Sequence, residues 1–477
     1  MTRKANYDDT NIANKGDGSL RADGLPAGWV WATLGEVADT ARRRVLPRER
    51  PDLPFIGMEN IEAHTMRLLG TVPASDMKSS AEHFESGDVM YGRLRPYLNK
   101  VYCPKFEGLC SSEFIVFRKT DHLKSEYLQY FLNSWDFVTF ASHLNTGDRP
   151  RVNFDQLANY PLPLAPLPEQ HRIVAKIEEQ FTRLDAGVAA LKRAQANLKR
   201  YKAAVLKAAC EGRLVAQDPT DEPASELLKR ILAERRAKWA ADLRAKGKDP
   251  QKAKYEEPQA PDLDALPELP SGWCWARAEQ LCDFITKGTT PSANKLFSGS
   301  GEIPYIKVYN LTNRGTLDFS VNPTFISQET HNKELARSRV YPGDVLMNIV
   351  GPPLGKVSIV PDTYPEWNIN QAVAIFRPMP SHDRKFLSIC LLEEHILSWA
   401  VRRAKATAGQ FNLTLEICRD LPLPVPPLAE QRRIVAEVER RLSVVQELEG
   451  TLAANLARAE RLRQSILKRA FEGRLVK

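Results

Sequence analysis

No apolar run in the 477 residues reaches transmembrane length, and the opening MTRKANYDDTNIANKGDGSLRADG has no apolar signal core. The sequence therefore reads as unexported and cytoplasmic, with no membrane partner. Cysteine is sparse: seven residues, at 103, 110, 210, 274, 282, 390 and 418, with no Cys-x-x-Cys and no histidines paired at ligand spacing. This points to buried reduced thiols, and away from a disulfide framework or a zinc site. A catalytic constellation is also missing. Asn322-Pro323-Thr324-Phe325 approaches the Asn-Pro-Pro-Tyr/Phe motif of amino-methyltransferases, but no glycine-rich cofactor loop follows a strand at suitable spacing. Gly351-Pro352-Pro353-Leu354-Gly355-Lys356-Val357 approaches a phosphate loop. It has one residue too few between the glycines, Val357 where Ser or Thr should hold Mg²⁺, and prolines where amide donors are needed. Neither Pro51-Asp52 nor Pro361-Asp362 leads into a Glu-x-Lys triplet, so the metal-dependent nuclease pattern fails as well.

What the chain has is a duplication. Pro161 to Val215 returns as Pro422 to Val476 at a constant offset of 261, with roughly 23 of 55 positions identical and no gap. Each copy opens on Pro-Leu-Pro, passes Glu-Gln (Glu169-Gln170, Glu430-Gln431) and closes on Glu-Gly-Arg-Leu-Val. Prolines at its mouth suit a first turn and nothing inside breaks it, so each copy predicts one very long helix, on the order of 60 Å at 1.5 Å per residue, stopped by Gly212 or Gly473. A sevenfold apolar column runs Ile177, Leu184, Leu191, Leu198, Val205, and its twin runs Val438, Val445, Leu452, Ala459, Ile466. Two such columns predict a coiled coil. A neighbouring column interrupted by Gln195, Lys202, Glu449 and Arg463 makes the seam better at setting register than at maximal stability.

The length allows about three domains. Residues 1–24 read as a disordered leader and 25–160 as a first module. The first helix with its lead-in occupies 161–215. Residues 216–268 hold a charged helix candidate, Ala224 to Ala245, and a Lys/Pro/Glu-rich linker, either a plain spacer or a small docking helix. A second module spans 269–421 and the second helix 422–477. Both modules begin on Leu-Pro-x-Gly-Trp (from Leu25 and from Leu269), and both carry a Gly-Asp-Val turn (Gly87 to Val89, Gly343 to Val345). Strands are predicted at Leu53 to Gly57 and Ile303 to Lys307, and again at Glu113 to Arg118 and Ala372 to Arg377. One helical stretch follows in each module, near 125–144 and 383–406.

The skeleton is shared and the loop chemistry is not. The first module gathers Arg42, Arg43, Arg44, Tyr91, Arg93, Arg95, Tyr97, Arg149 and Arg151, where arginine forks suit phosphates or guanine O6/N7. The second gathers Lys287, Thr289, Thr290, Asn348, Asn370, Gln371, Gln410 and Asn412, with Arg402 and Arg403 for phosphates. Its amides suit adenine N6/N7. Any one of these residues alone reads as a solvated surface group; their clustering at matching turns carries the argument. A net charge of +8 and a pI near 9.0 permit a nucleic-acid partner without deciding for one.

With these motifs the chain resembles the specificity subunit of type I restriction-modification systems, over roughly residues 25–477. The resemblance implies an α+β protein: two mixed α/β target-recognition domains separated by two long antiparallel coiled-coil helices, with an internal pseudo-twofold repeat. It implies that each domain reads half of a split double-stranded DNA site, and that the helices dock two methyltransferase subunits, with restriction subunits in the larger complex. The chain itself would be non-catalytic, with S-adenosylmethionine, ATP and Mg²⁺ belonging to the partners. Segment 216–268 and the leader depart from the barest family pattern. Two other classes stay open on the residues alone: a self-contained DNA methyltransferase or nuclease, and a coiled-coil scaffold that does not bind DNA. A methylation assay on the isolated chain separates out the first, and salt-dependent DNA retention the second.

Overall fold

The computed structural model describes residues 24–145, 147–312, 314–407 and 410–476, so the leader expected over 1–24 lies, but for Gly24, outside the described residues. The chain groups into two compact units, one running to Arg193 and resuming at Leu452, the other Ala194–Thr451.

The two opening motifs fold alike. Trp29 N–H closes a turn onto the Pro26 carbonyl (3.2 Å), and Trp273 N–H onto that of Pro270 (3.1 Å). The strands that follow, Val30–Thr33 and Cys274–Arg277, pair antiparallel with Pro161–Leu164 and Pro422–Val425 in the same register, Val30 opposite Leu164 and Cys274 opposite Val425. The prolines at 161 and 163, and at 422 and 424, fall on alternate positions, so the residues between them make the ladder bonds and the missing N–H groups are tolerated.

Between the opening strand and the long helix, seven strands recur in the same chain order. In the first module they are Pro54–Ile56, Val72–Pro73, Ala81–Phe84, Val89–Gly92, Val101–Tyr102, Gly108–Cys110 and Phe114–Phe117. In the second they are Ile303–Ile306, Thr324–Ile326, Arg339–Val340, Val345–Asn348, Val357–Ile359, Trp367–Ile369 and Val373–Pro378. In both, the first strand lies between the second and the sixth and parallel to the sixth. The third pairs with the other edge of the sixth, and the fourth lies between the fifth and the seventh. The helical stretch expected after them is two helices in each module: Ser125–Phe131 and Trp135–His143, then Arg384–Leu392 and Glu394–Arg403. In the second module Glu393 makes the break, its carboxylate accepting from His395 and Ile396 N–H and starting a new helix.

The Gly-Asp-Val turn has a structural role in each copy. Asp88 is buried and accepts from Glu85 N–H (2.9 Å), Lys119 N–H (3.0 Å) and Arg118 Nη1 (2.9 Å). Asp344 accepts from Tyr341 N–H and, through both oxygens, from Arg377 Nε and Nη2, each at 2.8 Å. Burial pulls the Arg377 pKa down, but the hydrogen bond and charge of Asp344 leave it raised.

The long helices are Leu167–Cys210 and Leu428–Phe471. In the first unit the start of the first helix (Ile173, Val174, Ile177) shares a core with the end of the second (Ile466, Leu467, Ala470, Phe471). Phe471 stacks edge-on against Tyr127 and Phe131 at 5.1 and 5.3 Å. In the second unit the end of the first helix (Val205, Leu206, Ala209) meets the start of the second (Ile434, Val435, Val438). The helices are therefore antiparallel. The closing Glu-Gly-Arg-Leu-Val explains itself here. Gly473, at φ +68, sits where a Cβ would lie 2.0 Å from Pro26, and Gly212, at φ +67, where one would lie 2.5 Å from Pro270. Each helix thus ends, in the left-handed turn that glycine favours, on the opening motif of the other repeat's module. Arg463, a polar interruption of the seam, is neutralised by Asp185 and stacks on Phe181 at 4.2 Å.

Segment 216–268 is more than a spacer. Helix Ala224–Ala245 buries Leu227 and Ile231 in the second unit's core, Arg235 donates to the Cys282 and Asp283 carbonyls, and Asp221 takes Arg433 in a fork (2.6 and 3.3 Å). All seven cysteines are free thiols, and six are buried. Among the described residues no helix is long and apolar enough to cross a membrane.

One buried group makes the second unit pH-sensitive. His382 is 4 % exposed, neither ring nitrogen has a partner among the described residues, and burial pushes its pKa down to about 4. The unfolded chain takes up this proton near pH 6.5, and the folded chain does so only near pH 4. Stability is therefore full above about pH 6.5 and falls toward pH 4, by about 3 kcal/mol in all. Between pH 7 and 4.5 the urea midpoint of wild type is expected to fall relative to that of His382→Phe on acidification. Parallel curves would refute it.

Candidate nucleic-acid interface

In the first module, the chain leaving helix Leu34–Val37 runs beside the seventh strand, with Asp39 opposite Arg118, and then pairs Arg44–Val45 with the third strand. This brings Arg42 and Arg44 to the rim of a cleft of about 350 Å³ that is also lined by Arg93, Ser112, Glu113 and Arg151. Backbone bonds fix the convergence: Arg93 N–H donates to the Glu113 carbonyl (2.8 Å), and Val152 N–H to that of Arg93 (3.0 Å). Glu113 then holds the Arg151 guanidinium in a fork, accepting from Nη2 at 2.9 Å and Nε at 3.1 Å, which raises the Arg151 pKa. Arg95, Tyr97 and Arg149 are exposed on the two loops flanking this contact, which are tied by Arg95 N–H to the Pro150 carbonyl (2.7 Å). Arg43 is exposed, but its side chain is paired with Glu85. Tyr91 is not a surface group. It is fully buried, edge-on to Phe137 at 5.7 Å, because all four residues of strand Val89–Gly92 point into packed layers.

The second module builds the same place from other chemistry. Phe284 stands opposite Arg377 as Asp39 stands opposite Arg118, so counting along the strand puts Lys287 in the position of Arg42. Ile349 N–H donates to the Ala372 carbonyl and Leu413 N–H to that of Ile349, both at 2.9 Å, repeating the bonds of Arg93 and Val152. Val350 bridges Asn412 as Leu94 bridges Arg151. Asn370 and Gln371 therefore occupy the places of Ser111 and Ser112, Ala372 that of Glu113, and Asn412 that of Arg151. Lys287, Thr290, Gln371 and Asn412 are exposed, and the Oδ1 of Asn370 has no partner among the described residues. Thr289 is tied down by Tyr305 Oη to its carbonyl (2.7 Å) and Arg337 Nη2 to its hydroxyl (2.8 Å). Exposed Arg337 escapes sequence reading, because only the fold brings residue 337 next to residue 289.

Three expected members of this face are elsewhere. Asn348 is fully buried, donating to the Pro353 carbonyl (2.8 Å) and accepting from Lys356 N–H (2.7 Å), so it pins a loop. Arg403 stacks on Trp399 at 3.7 Å, and Arg402 borders a different cleft, with Pro267, Glu268 and Trp275, because both end a helix that packs toward the linker. The side chain of Gln410 lies outside the described residues; its backbone is in the hairpin of Lys405–Thr407 with Gln410–Asn412.

On the long helices the sevenfold column faces inward. Ile177, Val205, Val438, Val445, Ala459 and Ile466 are buried, and Leu184, Leu191, Leu198 and Leu452 are half-buried. The glutamine of each Glu-Gln motif is buried in an internal joint. Gln170 accepts from Lys124 N–H (2.8 Å) and donates to the His122 and Ala165 carbonyls (3.1 and 2.9 Å). Gln431 likewise accepts from Asp383 N–H (3.1 Å) and donates to the Pro426 carbonyl (3.0 Å). Glu430 is buried against Trp273 Nε1 (2.9 Å), and burial raises its pKa; Glu169 is half-buried.

Two copies of one α/β module, each presenting a face of forked cations or amides, and a pair of antiparallel helices define a protein built to read DNA in two places. The chain belongs to the type I restriction-modification specificity family: the family described as "Type I restriction modification DNA specificity domain" matches residues 26–196 and 270–456. It is a type I specificity subunit. The specificity subunit of the type I restriction enzyme EcoEI of Escherichia coli is 26% identical over 90% of this chain and 80% of its own. That of EcoDI, also from Escherichia coli, is 30% identical over 45% and 50%. A solved chain from work on complex assembly and conformational transition of the type I R-M system shares the fold, with a TM-score of 0.62 at 24% identity, over 94% of this chain and 99% of that one.

Proposed function

We propose that the two modules read two different short half-sites of a split, asymmetric double-stranded DNA target, and that this cytoplasmic chain supplies the address while its partners supply the chemistry. The supporting observation is the register match between the two faces: one location in the fold carries Arg42, Ser112 and Arg151 in one copy, and Lys287, Gln371 and Asn412 in the other. Two methyltransferase subunits, with S-adenosylmethionine, dock on the paired helices, and restriction subunits with ATP and Mg²⁺ complete the larger complex. Support for docking comes from Tyr201 and Leu462, which the 261-residue repeat makes equivalent and which stand 44 % and 49 % exposed on the helices. Large apolar groups left open at repeated positions suit a cover supplied twice. Methylome sequencing of a host with and without this chain tests the reading. A chain-dependent split, non-palindromic motif of fixed spacing is expected, and a continuous or palindromic motif would overturn it.

A further inference from the structure

We propose that Glu113 and Arg151 form one base-reading unit of the first module, directed at guanine, and that Ala372 and Asn412 hold the same two places in the second, directed at adenine. This rests on the two-reader function above and names the positions that set its specificity. The geometry supplies the chemistry. A guanidinium has five N–H groups, and Glu113 engages the Nε hydrogen and one on Nη2. Unengaged among the described residues are two hydrogens on Nη1 and one on Nη2; one from each nitrogen forms the end-on parallel pair that fits guanine O6 and N7.

The charge balance separates this arginine from its neighbours. Glu113 neutralises Arg151, so the pair contributes direction and little net field, whereas Arg42 and Arg44 have no ion-pair partner among the described residues and suit the phosphates. In the second module the counterpart of the clamping carboxylate is Ala372, which cannot hold a guanidinium, and the counterpart of the arginine is Asn412, an exposed amide at the same bridge position. An asparagine needs no clamp to present its donor and acceptor to adenine N7 and N6. The two positions have changed together, as expected of one functional unit.

The test uses the complete methyltransferase complex, with methylome maps and DNA-binding salt slopes for wild type, Arg151→Gln, Glu113→Ala, and the graft Glu113→Ala with Arg151→Asn. Arg151→Gln is expected to relax one guanine position of the first half-site roughly ten- to hundredfold. The second half-site and the salt slope should not change. The graft should move the same position toward adenine. Glu113→Ala keeps the arginine but frees it, so it should lose part of the discrimination; it also keeps the test alive if Arg151→Gln fails to assemble. Uniformly weaker binding to all sequences, with the salt slope reduced by about one, would make Arg151 a phosphate contact and overturn the proposal. So would a wild-type first half-site without guanine. A wild-type map lacking any split motif would instead sink the two-reader function itself, so the two failures are distinguishable.

Discussion

Asp344→Ala is expected to destabilise the second module by about 3–5 kcal/mol, because it strands the Arg377 guanidinium without its partner. Asp344 is 3 % exposed and binds Arg377 through both oxygens while also closing its own turn through Tyr341 N–H. The Arg377 guanidinium also lies against the Tyr341 and Phe284 rings, 4.8 and 5.4 Å away. Asp88→Ala should cost the first module less, since Asp88 accepts from Arg118 and two backbone N–H groups but Arg118 keeps Glu82 at 3.1 Å. Urea unfolding of the full chain checks both; a loss below about 1 kcal/mol would show that the pair is not the clamp of the sheet. Replacing both partners with apolar groups, Asp344→Leu with Arg377→Met, should recover much of the loss, because no unpaired charge stays buried.

Exchange of residues 25–160 for the matching module of a relative is expected to replace one half-site completely and leave the other half-site and the spacing unchanged. The joint explains why the exchange is tolerated. Part of the joint is made through backbone atoms: Gln170 bonds Lys124 N–H and the His122 carbonyl, and the opening strand pairs with Pro161–Leu164 through a ladder that repeats in the second module, while the matching module must also supply the rings that Tyr127 and Phe131 set against Phe471. Backbone contacts do not depend on which side chains the incoming module brings. Methylome maps of the chimera decide the matter. If both half-sites change together, the modules do not read independently.

Several of these features are local and so could be read in the chain itself. The 261-residue repeat, the 44-residue helices with glycine stops, the paired strands and the Gly-Asp-Val turns all follow from periodicity, caps and turn chemistry within short windows. The contrast between an arginine-rich and an amide-rich module was legible too, because composition needs no coordinates. Only the tertiary structure decided which of these side chains meet. Arg42, Arg93, Glu113 and Arg151 come from four separate segments, and they share one cleft only after the sheets are assembled. Tyr91 and Asn348 look like surface polar groups in sequence, but a strand covered on both faces buries every residue, so alternation carries no signal there. Gln170 and Gln431 sit on helices whose outward face is undefined until a module packs against them. The docking of Ala224–Ala245, too, depends on a partner surface distant in the chain. Propensity and pattern act over a few residues, and the direction in which a polar side chain finally points is set by the tertiary contacts around it, as with Gln170 on the Lys124 N–H and Arg151 on Glu113.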